Sequence, residues 1–221
     1  MTSDDDGLLR FNVFNKPVVL ATETDSGSVA GKLWSVSLVL LDYFQKLGPE
    51  TFADKKILEL GAGVGLLSIA LSRAGASVTC TDLPSALPML DENCEKNKNA
   101  DSGACRVTAL GWGVEGFEES GIAQEMQTNG DYDYIICADL CYDESLHDIL
   151  VETLQRITGP KTVVYLIYID RMNFDIMLNV KLCEAEDPEG TDKEFRIDMV
   201  KDTDYDCLGV EGIHFYKVMY N

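Results

Sequence analysis

The sequence predicts an α/β fold: a mostly parallel sheet with helices on its faces, closed by a C-terminal antiparallel hairpin and preceded by a short N-terminal β extension. Three observations predict it. Apolar strand-like runs alternate with stretches of helical periodicity through most of the chain, the pattern of a parallel, helix-covered sheet. A glycine-rich turn joins one such strand directly to a helix. The last two strand-like runs, 194–200 and 213–219, have no helical stretch between them and read as a hairpin.

The elements follow in order. Residues 1–7, MTSDDDG, are acidic and small and read as a flexible tail, and residues 8–221 as a single domain. Runs 8–14 and 18–22 are short strands around Asn15-Lys16-Pro17, and 26–31 is a loop. Leu33, Val36, Ser37, Leu40, Leu41, Phe44 and Leu47 recur at helical spacing until Gly48-Pro49 stops them. A buried strand at 56–60 is followed by a helix over 64–74, and a second at 77–81 by a helix over 85–97. A third strand spans 106–110. A fourth, 134–138, leads to a helix over 144–157 carrying Leu146, Ile149, Leu150, Leu154 and Ile157. A fifth, 162–169, leads to a helix near 173–183, and 184–193 is a polar loop. The stretch 111–133 receives no element.

A chain of 221 residues is one domain's worth, with enough length to bury a core. Lys plus Arg number 18 against 38 Asp plus Glu, a net charge of −20. That excess disfavours nucleic acid and anionic lipid and suits a cationic ligand. The longest apolar runs fall short of the ~20 residues of a membrane-spanning helix. The start of the chain has no basic and apolar regions of a secretory signal, so a cytoplasmic or also nuclear protein is expected. The seven cysteines are odd in number, scattered and without a C-x-x-C pair, and read as reduced, buried thiols. With only two histidines, no metal site is expected.

The most informative segment is ILELGAGVGLLSIA. Gly61-Ala62-Gly63-Val64-Gly65 lets the backbone turn sharply and approach a ligand closely. Asp82 ends the next strand 21 positions after Gly61, where a carboxylate can accept both hydroxyls of a ribose. The layout suits a dinucleotide or S-adenosylmethionine (SAM). In a dinucleotide fingerprint the third glycine would stand where this chain has Leu66. Glu59, just before the turn, would repel a pyrophosphate but suits the ammonium and sulfonium of SAM. The turn therefore favours SAM over a nicotinamide cofactor.

Several segments together resemble the seven-strand protein-lysine methyltransferases of the methyltransferase family 16 group: GKLWSVSLVLLDYF, LELGAGVGLLSIA, TCTDLP, DENCEKN, ALGWG and ADLCYDESLHDILVETL. The last contains the group's D-x-x-Y signature as Asp139-Leu140-Cys141-Tyr142. Within the group, the D-x-x-Y helix and the terminal EGIHFYKVMY are most similar to members acting on an AAA ATPase. The resemblance implies a Rossmann-like, seven-stranded SAM-dependent methyltransferase fold. It implies cofactor contacts from Trp34, Glu59, Gly61, Ala62, Gly63, Asp82, Leu83, Trp112 and Ala138, and catalytic roles for Asp139 and Tyr142. It also implies a monomer acting on a lysine of a protein such as an AAA ATPase, another chaperone or a translation factor. The N-terminal tail and hairpin carry no family signature, which leaves the target open.

The residue types suit the chemistry. Indole rings stack on flat aromatic bases. A lysine amine must be neutral to attack a methyl group, and deprotonating it at pH 7 costs about 4.6 kcal/mol from its free pKa of about 10.4. Desolvation in an aromatic-walled channel lowers that cost, with Asp139 receiving the ammonium and Tyr142 offering a cation–π face. A histidine or small-amine acceptor, and a non-catalytic SAM-fold module that binds a basic partner, stay open at this point.

Overall fold

The computed structural model describes residues 2–3, 8–23, 29–100, 102–170, 181–183, 194–205 and 209–220. Seven strands form the central sheet: β4 (Lys56–Leu60), β5 (Ser77–Asp82), β6 (Cys105–Ala109), β7 (Tyr134–Ala138), β8 (Val163–Ile169), β9 (Phe195–Met199) and β10 (Ile213–Tyr220). Their order across the sheet is β6-β5-β4-β7-β8-β10-β9. The first five are mutually parallel, whereas β10 runs antiparallel to both β8 and β9. This is the α/β architecture expected, with the C-terminal hairpin in place.

Chain order reverses between β4 and β7. From β4 the chain steps outward through β5 and β6, then returns to place β7 on the other side of β4. Loops leaving the carboxyl ends of β4 and β7 therefore diverge, and a crevice opens between them.

Each face of the sheet has its own core. In β4, Ile57 belongs to the apolar cluster with α1 (Ser35–Leu47) and α2 (Leu66–Arg73), while Leu58 and Leu60 belong to the cluster on the opposite face with α6 (His147–Ile157). Period-two alternation puts Glu59 on the same face as Ile57, beneath α2. An aromatic knot fills the α1 side, with Tyr43 edge-on to Phe215 at 4.9 Å and Phe44 edge-on to Phe52 at 4.9 Å.

The N-terminal extension forms a hairpin of β2 (Leu9–Val13) and β3 (Lys16–Leu20). Phe14 and Asn15, both at positive φ, make its two-residue turn, so the reversal falls earlier than Asn15-Lys16-Pro17. Positive φ at both centres is the turn geometry that matches the twist of a tight hairpin. Thr2–Ser3, inside the expected tail, form a strand β1 paired with β2. The third core strand begins at Cys105, one residue before the expected start, and ends at Ala109. Helices α4 (Gly113–Glu119) and α5 (Ile122–Asn129) occupy the stretch that the sequence left blank. Of the helix expected near 173–183, only 181–183 are described, and these are helical; the 184–193 loop lies outside the described residues. α3 (Leu87–Lys96) follows β5 as expected.

Candidate functional site

A cleft of about 360 Å³ opens at the carboxyl ends of β4, β5 and β7. Among the residues named from sequence, Trp34, Gly61, Gly63, Asp82, Leu83, Trp112, Ala138, Asp139 and Tyr142 line it. Glu59 and Ala62 line a small adjoining recess of about 30 Å³, which shares Trp34, Gly61, Gly63 and Ala138 with the cleft. All eleven positions thus meet at one place, although they span more than a hundred residues of chain.

The glycine turn forms one wall. Gly61 and Gly63 have φ of 58° and 55°. A Cβ on Gly61 would sit 2.6 Å from Leu140 Cδ2, and one on Gly63 would sit 3.2 Å from the Ala30 carbonyl oxygen. Both positions exclude a side chain by conformation and by space. The Ala62 N–H donates to the Thr81 carbonyl at 2.9 Å, fixing the turn against the end of β5.

Asp82 forms the floor. Its Oδ2 accepts from the Gly63 N–H at 2.8 Å and its Oδ1 from the Leu83 N–H at 2.7 Å. Each oxygen keeps further lone-pair capacity for a ligand hydroxyl. Burial raises the Asp82 pKa, and the two backbone donors pull it back. Exposed Leu83 and the half-buried Trp112 line the same cleft. Trp112 is the residue before α4, and the Gly113 N–H donates to Thr153 Oγ1 at 2.8 Å, which ties that indole to α6. Trp34 precedes α1 and donates from Nε1 to the Val29 carbonyl at 3.0 Å.

Glu59 differs from the ionised group that the sequence suggests. It is 3% exposed and accepts a hydrogen bond from Ser68 Oγ on α2. Burial pushes its pKa up to about 8, so the carboxyl is predominantly protonated at neutral pH. Alternation along β4 accounts for the burial: the residue shares the α2 face with Ile57, and it also lines the recess.

At the mouth, Asp139 leaves β7 with φ of 58°. A non-glycine residue in the left-handed region is uncommon, Asp tolerates it better than most, and such strain clusters at functional sites. The Asp139 N–H donates to the Ile167 carbonyl at 2.7 Å, so β8 holds the turn. Tyr142 is 46% exposed, three positions on. Its hydroxyl is harder to ionise than usual because of partial burial and the negative charges of Asp143, Asp82 and Asp139. That negative potential favours a cation at the mouth of the cleft. The following helical turn is capped by Asp143, which accepts from the Ser145 N–H at 2.9 Å, and not by Asp139. His147, at the start of α6, is fully buried, with Nε2 3.3 Å from the Cys141 carbonyl.

Sequence reasoning missed several lining residues. Val29 and Ala30 come from the loop before α1, Ser85 and Ala86 from the turn after β5, and Leu146 and Ile149 from the start of α6. The last two stand out in the sequence only as helix-core positions. Leu110 and Leu140 lie inside the ALGWG and D-x-x-Y segments and could have been read from them.

The strand order and the cleft at its switch point define a Rossmann-like methyltransferase fold. The 16S rRNA N2 G1207 methyltransferase of T. Thermophilus, solved with AdoMet and guanosine, superposes over 97% of this chain and 50% of its own, with a TM-score of 0.62 at 19% identity. The magnesium protoporphyrin IX methyltransferase of Synechocystis, solved with SAH, covers 90% of each chain at a TM-score of 0.53 and 14% identity. Within that fold, residues 13–181 match the family described as lysine methyltransferase, and the chain belongs to it. It is 36% identical over 138 residues to the EEF1A lysine methyltransferase 3 of Mus musculus, covering 62% of this chain and 55% of the mouse protein. It is 32% identical over 157 residues to the protein N-lysine methyltransferase METTL21A of Danio rerio, covering 71% and 68%. The chain thus spans little more than half the length of the EEF1A methyltransferases it matches, 55% in mouse and 57% in Xenopus tropicalis.

Proposed function

We propose that the chain binds SAM in this cleft and transfers its methyl group to a lysine amine of a protein. The observation that carries the reading is Asp82, whose two oxygens are fixed by the Gly63 and Leu83 N–H groups at the floor of a cleft with Asp139 and Tyr142 at its mouth. The residues fit the cofactor. Gly61 and Gly63 leave a cradle that a Cβ would fill, Asp82 offers acceptors for a ribose diol, and Leu83 and Trp112 offer apolar walls for a purine. The volume of about 360 Å³ lies within the ordinary range of small-molecule sites.

SAM supplies a methyl group on a positively charged sulfur. The chain's residues do the rest. Asp139 receives the ammonium at the mouth, Tyr142 walls the approach, and the proton leaves to water before the amine enters. Holding the amine in line with the methyl carbon is worth up to roughly 7–11 kcal/mol, more than the deprotonation costs.

The names of the relatives support a protein acceptor. The EEF1A methyltransferases favour a translation factor over the AAA ATPase suggested by the D-x-x-Y helix. A cytoplasmic monomer that does not bind nucleic acid is the setting we propose for it.

Calorimetry with SAM and transfer of radiolabel from SAM into a cell extract test the reading. Asp139→Asn is the informative variant, because Asn also tolerates the left-handed backbone. Turnover is expected to fall at least tenfold with SAM affinity nearly unchanged, and Tyr142→Phe to weaken turnover less. Normal turnover in both variants removes these residues from the mechanism, and absence of SAM binding removes the activity.

A further inference from the structure

Three cysteines far apart in sequence converge beneath the glycine turn. Cys80 lies in β5, Cys94 in α3 and Cys105 at the start of β6. Their sulfurs form a triangle with edges of 3.1 Å (Cys94–Cys105), 3.5 Å (Cys80–Cys105) and 3.8 Å (Cys80–Cys94). Cys80 and Cys94 are buried and Cys105 is partly exposed. The register explains part of this. Cys80 pairs with Val107 and Val78 with Cys105, so the two cysteines are diagonal neighbours on adjacent parallel strands, and α3 crosses above them.

We infer that this triangle is a binding site for a soft, closed-shell cation, zinc(II) or copper(I), held by the sulfurs of Cys80, Cys94 and Cys105. A cation at the usual zinc–sulfur distance of ~2.3 Å from each sulfur would sit roughly 1 Å out of their plane. That is the base of a flattened tetrahedron for zinc, with its fourth position left for solvent, or a shallow three-coordinate site for copper(I).

Two contrasts set the metal above a redox function. A buried thiol reacts slowly with oxidants, whereas three sulfurs at this spacing already match the arrangement a soft cation takes. A disulfide would use two sulfurs and leave the third without a purpose. The position also connects the site to the cleft. Cys94 Sγ lies 3.9 Å from the Cβ position of Gly65, the residue before α2. Cys80 interacts with Ser68, the residue that donates to Glu59. A bound cation would fasten β5, β6 and α3 together under the turn. This inference does not depend on the acceptor or on methyl transfer.

The test uses the full chain, reduced and stripped of metal without air. Zinc(II), and separately copper(I), is titrated against a chromophoric chelator. Cadmium(II) is added in a parallel arm to read the sulfur-to-metal charge-transfer band. One equivalent is expected, with Cys80→Ser, Cys94→Ser and Cys105→Ser each weakening affinity at least tenfold and Cys183→Ser leaving it unchanged. In the unmutated protein, bound zinc or copper should slow alkylation of Cys80, Cys94 and Cys105 at least tenfold, read by mass spectrometry, and not that of exposed Cys183. This arm stands even if a serine variant fails to fold. Failure to retain any of the cations, a charge-transfer band that survives loss of the three cysteines, or a Cys94–Cys105 disulfide in the purified protein would each overturn the assignment.

Discussion

At the scale of single residues, Glu59 has the most unusual chemistry. Unfolded, its carboxyl ionises near the ordinary 4.5; folded, burial keeps the proton on to about 8. Between those values the native state binds more protons than the unfolded state, so its contribution to stability falls as pH rises through that window. Glu59→Gln keeps an acceptor for Ser68 and removes the ionisation. Its Tm should match the parent near pH 5 and exceed it near pH 8. Under the proposed function the same substitution should flatten a second profile. An ammonium placed in the recess would draw the proton off Glu59, so SAM affinity should rise with pH toward 8 in the parent and stay level in the variant. Parallel pH profiles of Tm for the two proteins would mean that Glu59 does not titrate here. The sequence shows an acid at this position but not its protonation, which comes from burial beneath the following helix and is only partly opposed by the bond from Ser68. Asp82 is read more easily, since its bonds to Gly63 and Leu83 are made within the motif region itself.

At the scale of elements, the spacing in DENCEKN acquires a mechanical reason. Asn93 in α3 and Asn97 just past its last residue lie one turn apart and are both buried, about 6 Å along the helix axis. Val19 and Ala21 lie two residues apart at the end of β3 and beyond it, about 6.8 Å along an extended chain. The two spacings nearly match, and each asparagine grips one residue. Asn97 accepts from the Val19 N–H at 2.9 Å and donates to its carbonyl at 2.7 Å. Asn93 accepts from the Ala21 N–H at 2.8 Å, donates to its carbonyl at 3.0 Å, and also donates to the Val64 carbonyl of the glycine turn at 2.9 Å. The hairpin is therefore bonded to the element that forms the cleft wall. Asn93→Ala strips partners from three backbone groups, each costing about 1–3 kcal/mol if left unpaired and buried. A loss of at least about 3 kcal/mol in urea unfolding is expected, together with weaker SAM binding; a loss below about 1 kcal/mol would show that water replaces the side chain. The hairpin strands were legible from their composition, but this attachment was not, because it joins residues more than seventy positions apart. Helices α4 and α5 were illegible for another reason. Their sequence holds few apolar residues and several glycines, and α4 is fixed by the Thr153 bond and by packing on α6 and not by its own periodicity.

At the scale of the whole molecule, alternation of strand and helix says that the sheet is parallel, and the glycine turn and Asp82 say which strand ends face the ligand. Neither says that β7 lies beside β4, which is the adjacency that opens the cleft. The charge of −20 is a property of the same scale, and salt should move two observables in opposite directions. Like charges on one folded chain repel, so screening them stabilises the native state. A gain of about 1 kcal/mol would raise Tm by roughly 2–4 °C for a chain of this size. Attraction between this surface and a lysine-rich substrate is screened by the same ions, which lowers the association rate and leaves the methyl-transfer step alone. Between about 20 and 200 mM NaCl, spanning Debye lengths of roughly 20 down to 7 Å, Tm should therefore rise while kcat/KM for a lysine-rich peptide falls through KM, with kcat steady. A peptide carrying one lysine among neutral residues should show a smaller fall. If kcat/KM proves equally insensitive to salt for both peptides while Tm still rises, the acidic surface is a solvated face with no part in substrate capture, and recognition rests on the residues at the mouth of the cleft.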